Sequence, residues 1–380
     1  MAAPRRGDLV GAMVLFATLN FALIAINGER HGGDTPLYLD GAARLLDGRP
    51  LIDREPSYTG YIAVVAAAQA IGIGTFGVVV LQVTLGAVAA AVVFAIGAAL
   101  AGRVAGAVAV LLLSLDVDTN RWHQFVLADS VYTSLFVIGV WLTHRSAVAR
   151  NVEPIVSAGA VMVGAALVRP EGWFLLPAAA AYVIVTRIPS NRHRFAAAAA
   201  LAGGALAVVA VLAPRYQGNM QAVGPADMLQ RGQTIWDFEG WRVAMPAADA
   251  PNGDQAGSAI GYALRHPFST LKLMIARVAV HFAHVRPFYS TAHNVVIVLW
   301  LLPVYAATVF AITHLGTAPL ALWLVAAIAS QTVVVALTHA EWDGRYLAHV
   351  LPLVYIFVGA AIAIWRAKSS SDRRGSFANA

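Results

Sequence analysis

Long apolar runs recur from one end of the chain to the other, and they limit its fold more than any other feature. A helix of about 20 apolar residues crosses a hydrocarbon core. Runs of that kind occupy 9–27, 75–101, 104–117, 129–147, 154–168, 172–187, 195–213, 292–313, 317–338 and 347–365. They predict an all-α polytopic membrane protein with about ten transmembrane helices. Only 12% of the 380 residues are charged, against about a quarter in soluble domains, and the mean hydropathy is +0.68. No soluble domain of ordinary size remains once the spans are removed.

Residues 58–73 are also apolar but short for a span, and they open on Tyr58 and Tyr61. Tyrosine favours the membrane interface, so this segment reads as interfacial or re-entrant. Keeping it on the outer side places Arg5, Arg6, Arg103, Arg145, Arg150, Arg187, Arg192, Arg194, Arg366, Lys368, Arg373 and Arg374 in or beside short inner loops. That is the charge bias expected of cytoplasmic loops. A full span at 58–73 would turn the clusters at 145–150 and 187–194 outward. The run 9–26 is too long for a secretory leader and lacks a clean cleavage site, so it reads as an uncleaved first helix.

The acids gather on the other face. Of 20 Asp and Glu, only Asp8, Glu153 and Asp372 fall near the inner side. The predicted organisation is one transmembrane domain over 1–366, with a first external loop at 28–74 and a long one at 214–291. A polar, disordered cytoplasmic tail follows at 367–380. Within the long loop, about 268–284 reads as a helix lying in the interface, with Leu271, Ile275, Val278 and Phe282 on one face.

The chain has no cysteine, which removes disulfides, thiolate nucleophiles and cysteine metal sites. It has no P-loop, Gly-x-Ser-x-Gly or His-Glu-x-x-His pattern, so ATP-driven, serine-hydrolase and zincin chemistry are set aside. The formal charge of +6 lies in short clusters between apolar runs, a pattern of topology and not of a nucleic-acid face.

The chemistry-bearing residues lie in the outer segments. Asp34 follows Gly32-Gly33 and precedes Pro36, so it either caps a helix or serves as a general base. Asp40 and Arg44, one turn apart, read as a solvated ion pair. Arg54 before Pro56 either snorkels to headgroups or grips a phosphate; Tyr38, Tyr58, Trp236 and Tyr346 are candidate sugar contacts. Asp129 opens a span, where a carboxylate suits the helix dipole yet is costly at membrane depth without a partner. Arg169 and Glu171 sit in a tight turn between two spans, and Arg345 begins the last helix. Arg54, Arg169 and Arg345 are the candidate phosphate ligands. Asp116-Val117-Asp118 has the spacing of an Asp-x-Asp metal motif, a pattern short enough to arise by chance. No metal ligand is assigned, and a divalent cation is left open.

Asp34-Thr-Pro-Leu-Tyr38, Ala42-Ala-Arg-Leu-Leu-Asp-Gly48 and Arg54-Glu-Pro-Ser-Tyr58 together resemble the first external loop of the GT-C membrane glycosyltransferases. The similarity is to the branch of protein O-mannosyltransferases and aminoarabinose transferases. Leu127-Ala-Asp129-Ser130, Arg169-Pro-Glu-Gly172 and Arg345-Tyr346 fall where that superfamily has a second-loop acid, an Arg-Pro turn and a late Arg-Tyr pair. His266-Pro267 and Arg286-Pro287 resemble the bounds of its juxtamembrane helix. The resemblance implies an inverting transferase using a polyprenyl-phosphate-linked sugar, with a glycan or lipid acceptor and the site at the outer face of a bacterial cytoplasmic membrane. Asp34 would be the general base, and Asp129 and Glu171 would orient the acceptor or a cation. Thr35 stands where the family often has a second acid, and the chain lacks a large C-terminal domain for a protein acceptor. The rival readings are a transporter or flippase for a lipid-linked sugar and a non-catalytic partner in envelope assembly. Transporters place ionisable groups near the midplane and show repeats, whereas here charge gathers at one rim and no repeat is visible.

Overall fold

The computed structural model describes residues 4–149, 152–193, 229–236, 238–247 and 259–378, without the side chains of 259–260 and 370–378. Among them the chain is helical, with only isolated β-bridges between loops. The expected span at 195–213 and the parts of the long loop at 214–228, 237 and 248–258 lie outside the described residues.

The helices are α1 (Arg6–Asn27), α2 (Thr35–Leu46), α3 (Thr59–Ala70), α4 (Gly74–Ala101), α5 (Arg103–Leu115), α6 (Val117–Asn120), α7 (Ala128–Val148), α8 (Glu153–Val168) and α9 (Leu175–Arg187). They continue as α10 (Ala259–Arg265), α11 (Pro267–Ala283), α12 (Thr291–Leu315), α13 (Pro319–Leu337) and α14 (Arg345–Ala378). Five of these have the length and apolarity to cross a membrane: α1, α4, α12, α13 and the part of α14 at Arg345–Ser369. α5 and α8 are apolar but shorter, and α7 carries Asp129, His144 and Arg145. The chain is a multi-pass, all-α membrane protein. α3 has 12 residues and reaches about 18 Å at 1.5 Å per residue, well short of a hydrocarbon core of about 30 Å. α14 continues to Ala378, through the segment that composition reads as an unstructured tail; extending an existing helix needs no new nucleus.

The bundle centres on α4, α5, α7 and α14, which bury the largest share of the apolar core. Small residues let backbones meet there, as in membrane helix pairs generally. A Cβ on Gly359 of α14 would stand 2.1 Å from the Ala105 carbonyl oxygen of α5, and one on Gly106 would stand 2.5 Å from that of Phe94 in α4. At one end the guanidinium of Arg103 pairs with Asp8 and ties α5 to α1.

At the opposite end, cross-links between loops build a polar cap. Arg30 N–H donates to the Gln124 carbonyl at 2.9 Å, and Val126 N–H returns a bond to Arg30 at 3.0 Å. The buried amide of Gln82 donates to the carbonyls of His123 and Phe125 and accepts from the Tyr61 hydroxyl at 2.8 Å. These bonds fix the first loop against the segment leading into α7.

α11 runs Pro267–Ala283, with His266 and His284 as its caps, where the sequence reads a helix over about 268–284. Its apolar face points outward, with Leu271 and Ile275 exposed, while Thr270, Leu273, Arg277 and His281 are buried. A helix lying in an interface turns its apolar side to lipid and its polar side to the protein.

Candidate active site

Asp34 is at the N-cap position of α2, but its side chain makes no capping bond. Its carboxylate instead lies between two guanidiniums: Arg345 Nη1 donates to Oδ2 at 2.9 Å and Arg54 Nη2 to Oδ1 at 3.3 Å. The Asp34 side chain is 20% exposed and that of Arg54 56%, so both reach open space at the rim. Thr35 holds this arrangement. Its buried hydroxyl donates to the Val126 carbonyl at 3.0 Å and accepts from Gly32 N–H at 2.9 Å. A carboxylate at position 35 would offer the Val126 carbonyl no proton.

Arg345 opens α14 and gathers acids from three segments. Besides Asp34, Nη2 donates to Glu341 at 2.9 Å, Nε lies 4.0 Å from Asp343, and Nη1 is 3.8 Å from Asp129 of α7. Asp129 is buried, pairs with Arg169, and has His349 Nε2 of α14 at 3.3 Å. Arg169 also grips Glu171 with two bonds, at 2.8 and 3.2 Å, and lies over the ring of Tyr346 at 5.2 Å. Burial alone would raise the Glu171 carboxyl, but the Arg169 guanidinium outweighs it and holds the group below its usual range. The same burial disfavours the cation on Arg169, and Asp129 and Glu171 more than offset it.

The sequence candidates are therefore brought together from the first loop, the start of α7, the turn after α8 and the start of α14. Their exposures differ. Arg169 is only 2% exposed and closed in by two carboxylates, so a place at a donor phosphate, expected from sequence, does not suit it; the tight turn buries it. Tyr38 is fully buried, edge-on to Tyr58 and Tyr61. Trp236, 39% exposed, tilts against His339 at 4.8 Å. Arg44 lies 3.4 Å from Glu55 and not beside Asp40, which is exposed. Asp116 caps α6 by accepting from Thr119, and it also accepts from the Tyr355 hydroxyl at 2.7 Å; Asp118 lies 3.9 Å from both Arg121 and His293. Among the described residues no group of three or more His, Asp or Glu is placed to hold a metal ion.

Sequence reasoning missed the frame of the turn 338–344, which carries Glu341 and leads into Arg345. Arg286, 1% exposed, donates to the carbonyls of Glu341 and Trp342 at 3.0 and 3.1 Å. Buried Arg277 donates to Ala336, Leu337 and Gln233, and Arg121 to the Asp343 carbonyl at 2.7 Å. Arginines whose partners are carbonyls on distant segments leave no charge pattern to read. His349 did leave one, since it stands one turn after Arg345.

Residues 56–215 match the family model for dolichyl-phosphate-mannose-protein mannosyltransferases, a family of the GT-C superfamily. No curated protein and no solved structure matches the chain. The matched stretch includes Tyr58, Asp129, Arg169 and Glu171; Asp34, Arg54 and Arg345 fall outside it. The match spans less than half of the chain, and over that stretch it agrees with the family resemblance read from the sequence.

Proposed function

We propose that the chain is a membrane glycosyltransferase of the GT-C type, a reading the family match supports, and that it moves a sugar from a polyprenyl monophosphate to a glycan or lipid acceptor, inverting the anomeric carbon. We assign the polar cap to the outer face of a bacterial cytoplasmic membrane. The observation that carries this reading is the partly exposed Asp34 carboxylate held between Arg54 and Arg345 at the polar end of an apolar bundle. A general base and cations for an anionic leaving group are what this transfer requires.

In the reaction the acceptor O–H gives its proton to Asp34 while its oxygen bonds to the anomeric carbon. The bond from that carbon to the phosphate oxygen breaks, and the carrier phosphate leaves with the electron pair. Arg54 has the exposed guanidinium, so the phosphate meets it first and exchanges with Asp34, freeing Oδ1 for the acceptor. Arg345 then stabilises both the phosphate and the carboxylate. Arg169 positions Asp129, which braces Arg345 from 3.8 Å, and holds Glu171 beside it. Trp236, which is exposed, and Tyr346, which is partly so, are the proposed sugar contacts, while Tyr38 and Tyr58 are buried.

The test is turnover by purified protein with a polyprenyl-phosphate hexose, followed as release of prenyl phosphate and as the anomer formed. Asp34→Asn should lower turnover by roughly 10²–10⁴-fold, the range for general-base catalysis, with the thermal midpoint kept. Normal turnover by that variant removes Asp34 as base. No release by the native chain from any polyprenyl-phosphate sugar removes the donor.

A further inference from the structure

Beside the site, a cleft of about 260 Å³ opens between α5–α6, α12 and α14. Its walls are apolar, with Leu115, Ile297, Trp300 and Leu351 among them. Its flanks at Leu115, Val117 and Val296 are more than half exposed, so the cleft is open toward the hydrocarbon. One end is polar and is formed by Asp118, His284 and Asp343.

His284 is at odds with its surroundings. Its backbone is left-handed at φ 52°, a conformation that residues other than glycine rarely adopt. The side chain is 5% exposed, yet Nδ1 has no hydrogen-bond partner. Its ring presses on Gly344, where a Cβ would stand 1.9 Å from Cε1. The left-handed backbone ends α11 as a C-cap whose N–H donates to Val280, but the unmet buried nitrogen is unfavourable and calls for a partner. Burial, with help from Arg286, pushes the ring down to about 4, so at neutral pH it is an uncharged imidazole that donates and accepts. That is the pairing a hydroxyl needs.

Charge narrows the ligand further. Asp118 and Asp343 face the polar end, and the nearest guanidiniums are engaged. Arg121 bonds the Asp343 carbonyl beside Asp118, Arg286 bonds carbonyls, and Arg345 bonds Asp34 and Glu341. The carboxylates there would repel a phosphate monoester, whereas an uncharged head meets no such repulsion. Asp343 lies 4.0 Å from Arg345 Nε, on the guanidinium whose Nη1 holds Asp34. The polar end of the cleft is thus one side chain from the proposed base.

We propose that this cleft is the acceptor subsite and that the acceptor is a lipid, with its hydrocarbon chain between α12 and α14 and an uncharged hydroxyl held by His284. The acceptor role rests on the transferase reading; the binding does not.

The test uses the full chain in nanodiscs with two probes, a chain-brominated long-chain alcohol and the corresponding alkyl phosphate. Bromine quenches nearby tryptophan, and the difference between the native chain and Trp300→Phe isolates the signal of Trp300. The alcohol should quench that signal saturably and the phosphate at least about tenfold more weakly. His284→Phe keeps an aromatic ring and removes the unmet nitrogen, so stability should hold or rise while alcohol affinity falls about tenfold, the value of one hydrogen bond. A fall in stability with unchanged affinity would make His284 structural and overturn the proposal. Equal or tighter binding of the phosphate, or quenching that never saturates, overturns it too. Ala348→Phe, which fills the cleft, should abolish transfer to a lipid alcohol but not release of prenyl phosphate to water. Undiminished transfer refutes the acceptor role and leaves the transferase reading standing. Saturable alcohol binding with no transfer by the native chain sinks the transferase reading and leaves the cleft.

Discussion

Arg345 Nη1 stands 2.9 Å from Asp34 Oδ2, although 311 residues separate them. The same guanidinium bonds Glu341, and with Asp129 and Asp343 it holds four carboxylates within 4.0 Å. A lysine there keeps the charge but not the planar fork. Arg345→Lys should therefore lower turnover by at least about tenfold, and Arg345→Gln by more. Because the two residues touch, their effects should not add: the Asp34→Asn, Arg345→Gln pair should be little slower than Asp34→Asn alone. Rates measured for the four chains decide this, and full additivity means that the pair does not work as a unit.

Arg169 answers to a different term. It is sealed between Asp129 and Glu171, and removing one partner of a buried ion cluster costs about 3–5 kcal/mol because the remaining charge stays buried. Arg169→Ala leaves Glu171 unpaired and Asp129 with only His349 and the more distant Arg345, and should unfold the cap, seen as a lost or much lowered thermal midpoint. Glu171→Gln leaves Arg169 its bond to Asp129 and should cost less. A stable Arg169→Ala chain that turns over slowly would move Arg169 back among the phosphate ligands.

The span pattern was legible because lipid demands long apolar helices, and nine of the ten expected spans fall on helices among the described residues. Asp34, Asp129, Arg169 and Arg345 were legible as polar groups bordering such runs, where an unpaired charge is costly. Their division into rim and interior was not. Arg54 and Arg169 look alike in sequence, yet one projects past a 3₁₀ turn at Glu55–Tyr58 while the other is enclosed by the chain that flanks it. The partner of Arg44 was misread for a related reason: Asp40 is nearer in sequence, but Pro56 and the turn behind it bring Glu55 closer.

Arg286 fixes the turn that carries Glu341 and feeds Arg345. It makes four bonds to carbonyls, those of Val280, Val285, Glu341 and Trp342. Arg286→Lys cannot span all four, and each buried carbonyl left bare costs about 1–3 kcal/mol. The thermal midpoint should fall, and kcat should fall with little change in donor KM, since the turn sets the placement of Arg345 and does not meet the sugar. A rise in KM at constant kcat would point instead to direct donor contact.

Stability should also weaken in mild acid. His123, His281, His284 and His339 lie outside the spans, and burial lowers each, to about 4, 3, 4 and 4 respectively. An unfolded histidine takes up a proton near pH 6.5, whereas these folded rings do so only at much lower pH. Between those values the unfolded chain binds more protons, so stability is complete above about pH 6.5 and falls as pH drops toward about 4. The slope reaches about 1.4 kcal/mol per pH unit for each ring. Asp343, raised by burial, acts in the opposite direction, but it is one group against four rings. Thermal midpoints between pH 7.5 and 5 should therefore decline steadily, and replacing His123 by Gln should flatten the curve. A midpoint independent of pH over that range would mean that these rings are hydrated in the folded protein.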